Sequence, residues 1–134
     1  MTDRIKLLYV DDDIDIRTVA TLALGLDGAI FTRPAESGSE ALAMLHDGVW
    51  RPDAVLLDVM MPGMDGPAFL DEVRRIPGLE AIPVVFMTAR SMQADVNRYY
   101  ALGAAGVIIK PFDPLRLAGE VRTLIETATG GRVG

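Results

Sequence analysis

The stretch Ile5-Lys6-Leu7-Leu8-Tyr9-Val10-Asp11-Asp12-Asp13 decides the fold, because a short apolar run ends directly in three carboxylates. Three other apolar runs also end in a polar residue: 54–57 before Asp58, 84–87 before Thr88 and 107–109 before Lys110. If each run is a strand of one parallel sheet, these polar groups meet at its carboxyl edge, where open α/β sheets bind ligands. Clustered carboxylates favour a cation and a facing lysine favours an anion. The pattern therefore indicates a site for a divalent metal and a phosphoryl group.

Composition restricts the chain to a few classes of protein. Of its 134 residues, 50% are hydrophobic and 24% are charged, which is typical of one globular domain. A net charge of −6 argues against direct binding of nucleic acid, because nothing offsets repulsion by the phosphates. The absence of cysteine excludes disulfides, thiolate metal sites and a cysteine nucleophile. No run is long enough for a signal peptide or a transmembrane helix, so we expect a cytoplasmic protein that does not enter a membrane.

Strand-like and helix-like patterns alternate five times along the sequence. Short apolar runs predict strands buried on both faces at 5–10, 29–32, 54–57, 83–87 and 107–110. Amphipathic spacing predicts helices at 14–26, 37–46, 66–76, 91–102 and 113–128. Five βα units with short links predict an α/β fold, namely a flavodoxin-like (βα)5 doubly wound parallel sheet with strand order 2-1-3-4-5. We expect a single domain at 4–128 and a flexible tail at 129–134.

Several of the predicted helices begin with capping signals. Asp12 or Asp13 can cap the first helix, and Ser37 with Glu40 forms a capping-box pattern before the second. The pair Asp113-Pro114 offers a cap followed by a proline in the first helical position, so the last helix is expected to start there.

The acidic turn at 11–13 has two interpretations besides a metal site. One aspartate after a strand is usually only a helix cap, but three in succession exceed what a cap needs. An EF-hand loop beginning at Asp11 also fails, because Ile16 stands where glycine is required and Leu22 where the bidentate glutamate belongs. A metal site therefore explains the turn best.

The other three polar residues at the strand ends each allow a purely structural explanation. Asp58 can be a loop residue before a Pro-Gly turn, and Thr88 can be a strand former or a cap. Lys110 can simply form a salt bridge with the carboxylates. In the functional interpretation Asp58 takes up a phosphoryl group, the Thr88 hydroxyl donates to it and Lys110 neutralises its charge. The small side chain of Ala89 then leaves room for the phosphoryl donor.

Four motifs occur together in this chain as they do in one known family. They are Val10-Asp11-Asp12, Leu57-Asp58-x-Met60-Met61-Pro62-x-Met64-Asp65-Gly66, Thr88-Ala89 and Gly103-Ala104-x5-Lys110-Pro111-Phe112. In this combination, over residues 4–128, the chain resembles the receiver domain of two-component response regulators. The resemblance implies a phosphoacceptor signalling domain rather than an enzyme with a separate substrate, so that the protein catalyses only its own phosphorylation and dephosphorylation.

The resemblance also implies a role for each residue of the site. Asp58 is the expected site of phosphorylation, and Thr88 and Lys110 complete the expected catalytic set. The expected Mg²⁺ ion, with Mn²⁺ as an alternative, would be held by Asp12, Asp58, the backbone carbonyl of Met60 and, through water, Asp11. The phosphoryl group would come from a phosphohistidine on a sensor histidine kinase or a phosphotransfer protein.

In this family phosphorylation shifts an equilibrium between two conformations. The resemblance implies that Thr88 moves toward the phosphoryl group while Ala89 leaves access to it. Val107 stands where the family usually has Tyr or Phe, so we expect no ring rotation there. Either the movement of Thr88 is read out through the following loop and helix 4, or the switching is weaker. Met60 and Arg90 occupy the two positions that influence hydrolysis of the phosphoryl group. Because neither carries an acid that could activate water, we expect slow hydrolysis.

Further expected partners are a downstream protein or an effector domain outside this sequence. Helix 4, strand 5 and helix 5 form the expected docking surface and a candidate homodimer interface. Two rival functions stay open at this point. One is a haloacid-dehalogenase-like phosphatase with Asp11 as nucleophile, which requires Thr or Val where this chain has Asp15. The other is a binding module that is never phosphorylated, against which the complete set of site residues argues.

Overall fold

The computed structural model describes residues 4–130, in which five strands alternate strictly with five helices. The strands are β1 Ile5–Val10, β2 Ile30–Ala35, β3 Ala54–Asp58, β4 Val84–Thr88 and β5 Gly106–Ile109. The helices are α1 Ile14–Leu24, α2 Gly38–Asp47, α3 Gly66–Arg74, α4 Gln93–Ala101 and α5 Leu117–Ala128. No helix within 4–130 has the length and apolar character needed to cross a membrane. In the predicted tail, residues 131–134 lie outside the described residues.

All neighbouring strands are parallel, and their order is β2-β1-β3-β4-β5. This confirms the predicted flavodoxin-like (βα)5 fold, its single domain and its strand order. Val10 pairs with Leu57, and Asp58 pairs with Met87. The carboxyl ends of β1, β3 and β4 therefore lie side by side, so residues far apart in sequence share one edge of the sheet.

The sheet separates two apolar clusters because alternate residues of each strand point to opposite faces. Leu8, Val55 and Phe86 pack with α2 and α3 on one face. On the other face, Leu56 and Met87 pack with α1 and α5. The two central strands, β3 and β4, are buried along their whole length. They hold the residues at their carboxyl ends in fixed positions.

The prediction that every strand is buried on both faces is wrong for β2. This strand lies at the edge of the sheet and has only β1 as a neighbour. Phe31 is 40% exposed, and Arg33 is also exposed. Pro34 is tolerated here because an edge strand does not use all of its backbone N–H groups for pairing.

The capping signals are confirmed at the first two helices. The Asp13 carboxylate accepts hydrogen bonds from the backbone N–H groups of Asp15 and Ile16 at the start of α1. The Ser37 hydroxyl accepts from the N–H of Glu40 at the start of α2. Asp65 caps α3 in the same way.

The predicted starts of the last two helices are wrong by two to four residues. Asp113 accepts from the N–H of Leu115, and its carbonyl oxygen accepts from the N–H of Leu117. These bonds close a separate turn, so α5 begins only at Leu117. Helix α4 begins at Gln93 rather than Ser91, and Met92 at its N-cap makes no side-chain capping hydrogen bond.

Candidate functional site

The polar residues predicted to meet do meet at the carboxyl edge of the sheet. Asp11 follows β1 directly, and its backbone N–H still bonds to the carbonyl oxygen of Ala35 in β2. Asp58 and Thr88 are the last residues of β3 and β4, and Lys110 follows β5. The backbone N–H of Lys110 donates to the carbonyl oxygen of Thr88. Each of these residues is therefore positioned by the sheet itself.

Three carboxylates form a compact cluster at this edge. Asp11, Asp12 and Asp58 each offer one oxygen atom, and these atoms lie within 4.8 Å of one another. Asp11 and Asp58 are buried, whereas Asp12 is exposed. Carboxylate oxygens are the ligands that Mg²⁺ prefers, and the exposed side leaves room for the waters that it keeps. The chemistry of this set of donors therefore fits Mg²⁺.

Lys110 lies against the cluster. Its Nζ atom is 3.3 Å from Oδ1 of Asp58 and 3.8 Å from Oδ2 of Asp11. The lysine side chain is only 16% exposed, so its charge is weakly screened by solvent. The peptide bond between Lys110 and Pro111 is cis. One ammonium group thus partly compensates two buried carboxylates.

Asp11 is held by hydrogen bonds from three directions. Its Oδ2 accepts from the hydroxyl of Tyr9 at 2.9 Å, and its Oδ1 accepts from the N–H of Asp13 at 3.0 Å. Nη1 of Arg17 donates to the backbone carbonyl of Asp11 at 2.8 Å. Burial, together with the negative charge of Asp11, raises the pKa of Tyr9 well above its ordinary value. Tyr9 therefore stays protonated and acts as a donor.

Sequence reasoning missed both Tyr9 and Arg17 as residues of the site. Tyr9 was counted only as an apolar member of the first strand. The signal that could have found it is the period of two along a strand, which places Tyr9 on the same side as Asp11 two residues later. Arg17 lies one helical turn after Asp13, so its side chain can reach back over the start of α1.

The surroundings of Asp58 raise the pKa of its carboxyl group when no metal is bound. Burial raises the pKa of Asp58 to about 6, with the charge of Asp11 acting in the same direction. Lys110 opposes this shift, and so does the N–H of Met60, which donates to Oδ1 of Asp58 at 3.3 Å. The net upward shift means that burial outweighs the partial compensation by Lys110.

Thr88 and its neighbours form the other side of the site. Thr88 is fully buried, and its Oγ1 accepts from the N–H of Arg90 at 3.0 Å. The Arg90 guanidinium lies 4.0 Å from Oδ1 of Asp95 in the first turn of α4. Ala89 is exposed, and Met60 is 59% exposed. The side chains that line the approach from solvent to the carboxylates are therefore small or flexible.

An apolar pocket of about 410 Å³ opens beside Lys110 and Ala89. Its other walls come from Asp15, Ile16 and Val19 of α1 and from the loop Pro111, Phe112 and Pro114. The pocket thus joins the acidic edge to an apolar surface large enough for an amino-acid side chain.

Some residues singled out from the sequence lie away from this cluster. Asp13 serves as the cap of α1. Val107 lies on β5 opposite Phe86 and packs, partly buried, against the apolar cluster that contains Phe86 and Tyr99. The rings of Phe86 and Tyr99 meet edge to face, with their centroids 5.4 Å apart. The structure thus places an aromatic pair from β4 and α4 beside the short side chain of Val107.

Comparison with known proteins agrees with this geometry. Residues 7–122 match the model of the family described as the response regulator receiver domain. Among solved structures, the chemotaxis response regulator CheY4 of Vibrio cholerae superposes with a TM-score of 0.80 at 31% identity, covering 90% of this chain and 98% of that chain. A response regulator from Chloroflexus aurantiacus, described as putative, gives the same TM-score and identity over 92% of this chain and 98% of that chain.

Curated relatives are similar in sequence but longer. Response regulator Rre1 of Synechocystis is 36% identical over 125 residues, which is 93% of this chain and 53% of the relative. The DNA-binding response regulator MtrA of Mycobacterium tuberculosis is 36% identical over 124 residues, which is 90% of this chain and 50% of the relative. The chain therefore spans about half the length of the curated relatives that it matches.

Proposed function

The chain belongs to the response regulator receiver domains of two-component systems, and from that premise we propose that it is a switch phosphorylated on Asp58. Control by phosphorylation of an aspartate is a feature of the family as a whole. The proposal for this chain assigns the switch to residues 4–128 and treats 129–134 as a tail. The observation that carries it is the placement of the buried Asp58 carboxylate between Lys110 and the acidic pair Asp11 and Asp12.

Asp58 is the best placed nucleophile of the three carboxylates. Both described contacts of its carboxylate, from Met60 and Lys110, fall on Oδ1, which leaves the second oxygen for attack. In Asp11 each oxygen already accepts a hydrogen bond. Hydrogen bonds to both oxygens make the Asp11 carboxylate a weaker nucleophile, so the geometry favours Asp58 over a phosphatase with Asp11 as nucleophile.

In the proposed reaction an oxygen of Asp58 attacks the phosphorus of a phosphohistidine on a sensor histidine kinase or phosphotransfer protein. The phosphorus–oxygen bond forms as the phosphorus–nitrogen bond breaks, and the electron pair leaves on the histidine nitrogen. Lys110 stays beside Asp58 and balances charge on the phosphoryl group. Ala89 and the pocket beside it offer the donor an approach from the side of α1.

The proposed cofactor is Mg²⁺, with Mn²⁺ as an alternative. Asp12 and Asp58 would hold it directly, and Asp11, the third carboxylate of the cluster, would hold it through water. The backbone carbonyl of Met60 would supply a further ligand. When bound, the ion supplies positive charge that offsets the phosphoryl oxygens during transfer. Without it, the two buried carboxylates share a single ammonium group. Burial raises the pKa of Asp58 to about 6, so the ionised, nucleophilic form is lost as the pH falls through about 6.

The proposed switch begins at Thr88. Its buried hydroxyl lies at the end of β4. The hydroxyl oxygen accepts a hydrogen bond from the backbone N–H of Arg90, which links Thr88 to the loop before α4. A phosphoryl group on Asp58 offers Thr88 a stronger acceptor, so the loop and α4 shift with it. Val107 has no ring that could rotate. The aromatic pair Phe86 and Tyr99 connects β4 with α4 in its place. The signal is thus passed through the face of α4, β5 and α5.

The proposed partner on that face is a downstream protein or an effector domain, and the same face is a candidate homodimer interface. The greater length of the curated relatives supports an effector, since one of them is a DNA-binding response regulator. Met60 and Arg90, beside the proposed phosphorylation site, carry no carboxyl group to activate water. We therefore propose that the phosphoryl group is lost slowly.

Intact-mass measurement after incubation with acetyl phosphate tests the proposal. With Mg²⁺ present, the unmodified chain should gain one phosphoryl group, and Asp58→Asn should gain none. Asp71→Asn is the matched control, because Asp71 is an exposed carboxylate on α3 that, among residues 4–130, pairs only with Arg75. Phosphorylation of Asp58→Asn, or failure of both the unmodified chain and Asp71→Asn, would refute the assignment.

A further inference from the structure

Tyr9 combines a buried ring with a polar bond to the acidic cluster. Its side chain is fully buried in β1, among the apolar residues that face α1 and α5. A phenylalanine would fill the same space without the cost of burying a hydroxyl group. The hydroxyl is retained in the core at a place where it donates to Oδ2 of Asp11 at 2.9 Å. What needs explanation is therefore the hydroxyl and not the ring.

The other donors around Asp11 cannot replace this hydroxyl. The N–H of Asp13 binds the opposite oxygen, Oδ1. Lys110 is 3.8 Å from Oδ2 and lies closer to Asp58, at 3.3 Å. If the hydroxyl were absent, the buried Asp11 would keep one firm hydrogen bond and could rotate about it or draw Lys110 away from Asp58. Either change displaces an oxygen of the cluster.

We infer that Tyr9 is a positioning residue for the cation site, holding the Asp11 carboxylate in the orientation in which it faces the ion. This inference rests on the proposed function, because it assumes that the acidic cluster binds Mg²⁺. Hydrogen-bond donors that lie behind the groups around a metal ion fix the direction of those groups, and their loss typically weakens metal binding by about 10-fold or more. Because the ring is enclosed by the core, the hydroxyl cannot turn away from Asp11.

Isothermal titration with MgCl₂ at constant ionic strength tests the inference without any phosphoryl transfer. Tyr9→Phe removes only the hydroxyl and should weaken Mg²⁺ binding by about 10-fold relative to the unmodified chain. Tyr99→Phe is the matched control. Tyr99 is also buried, and its ring packs on Phe86. Among residues 4–130, no acidic side chain accepts a hydrogen bond from its hydroxyl. Its affinity for Mg²⁺ should equal that of the unmodified chain.

A double-mutant cycle separates positioning of Asp11 from a general effect on packing. In an Asp11→Asn background, adding Tyr9→Phe should change the Mg²⁺ affinity by less than about twofold, since the carboxylate that Tyr9 orients is already gone. Circular dichroism and the melting temperature of each variant establish that the folds are comparable.

The outcomes distinguish this inference from the proposed function. A loss of less than threefold in Tyr9→Phe, or tighter binding, overturns the role of Tyr9 while leaving the metal site in place. An equal loss in the presence and absence of the Asp11 carboxylate also overturns it, because the hydroxyl then acts elsewhere. Failure of the unmodified chain to bind Mg²⁺ overturns the proposed function itself.

Discussion

Asp58 carries the largest pH dependence expected from the site. Its pKa in the folded, metal-free protein is about 6, above its ordinary value of 3.8, because burial penalises the charged form. The folded state thus binds this proton more tightly than the unfolded state. The stabilisation is complete below about pH 4 and is lost as the pH rises through about 6. For this one group the loss amounts to roughly 3 kcal/mol.

Urea denaturation with EDTA present measures this effect. Between pH 5 and 7.5 the free energy of unfolding of the unmodified chain should fall relative to that of Asp58→Asn, which has no charge to bury at this position. Asp71→Asn provides the control for other titrating groups, because Asp71 is exposed on α3. Parallel pH curves for the unmodified chain and Asp58→Asn would show that the charge on Asp58 is not destabilising.

Lys110 is expected to have opposite effects on metal binding and on phosphoryl transfer. Lys110→Met removes the ammonium group that lies 3.3 Å from Asp58 and 3.8 Å from Asp11. The carboxylates then lack a protein cation, so Mg²⁺ should bind more tightly. Transfer from acetyl phosphate at saturating Mg²⁺ should slow by roughly 100-fold, because the charge of the phosphoryl group is less well balanced.

The exposed Lys6 on β1 allows a matched control. Lys6→Met should change neither the affinity for Mg²⁺ nor the rate of phosphoryl transfer. Titration calorimetry gives the affinity, and intact mass against time gives the rate. If Lys110→Met were phosphorylated at the rate of the unmodified chain, Lys110 would have only a structural role, as the partner of an ion pair.

At the scale of single elements, the packing of α5 on β5 depends on a glycine. A Cβ atom at Gly106 would lie 2.7 Å from Cδ1 of Leu124 and 2.9 Å from its Cγ. Gly106→Ala must therefore push α5 away from the sheet or force Leu124 outward, and it should destabilise the protein by about 1–2 kcal/mol. Gly119→Ala, in α5 itself, has no atom within 4 Å and should stabilise by about 0.5–1 kcal/mol. Urea denaturation measures both changes, and equal stabilities for the two variants would contradict the packing argument.

Sequence patterns predicted the existence of every element but not all of their limits. The apolar runs were sufficient for β3 and β4 because these strands are buried on both faces. The pattern misled at α5, where Asp113-Pro114 begins a separate turn with the same chemistry as a helix cap. It also misled at β2, where the apolar run suggested burial on both faces although the predicted strand order already placed this strand at the edge of the sheet. Boundaries that depend on tertiary neighbours were thus beyond local reasoning.

At the scale of the whole molecule, the prediction of strand order determined the prediction of the site. Once β1 and β3 are neighbours, Asp11 and Asp58 must share an edge, and the structure places them there. The hydrogen bonds that surround the site could not be predicted in the same way. The bond from Tyr9 to Asp11 and that from Arg17 to the Asp11 carbonyl depend on side-chain rotamers, which sequence periodicity does not determine.

Because the carboxylates belong to different central strands, binding of Mg²⁺ should stabilise the fold as a whole. Asp11 and Asp12 follow β1 and Asp58 ends β3, so these carboxylates come together only while the two strands are paired in the folded state. At a free Mg²⁺ concentration 100 times the dissociation constant, the free energy of unfolding should rise by about 2.7 kcal/mol. The slope of the free energy of unfolding against urea concentration should not change, because unfolding exposes the same surface with and without the ion.

Urea titrations at several Mg²⁺ concentrations measure this coupling, and Asp11→Asn should reduce the stabilisation at each concentration. Asp53→Asn is a useful comparison, because Asp53 immediately precedes β3 at the opposite end from Asp58, and its carboxylate accepts from the N–H of Lys6. It should lower the stability at every Mg²⁺ concentration by the same amount and leave the increment due to the ion unchanged. A site that joins β1 to β3 cannot lose the Asp11 carboxylate without losing part of its affinity for the ion. If Asp11→Asn kept the full Mg²⁺-dependent rise in the free energy of unfolding, the stabilising ion would therefore have to bind away from the carboxyl edge.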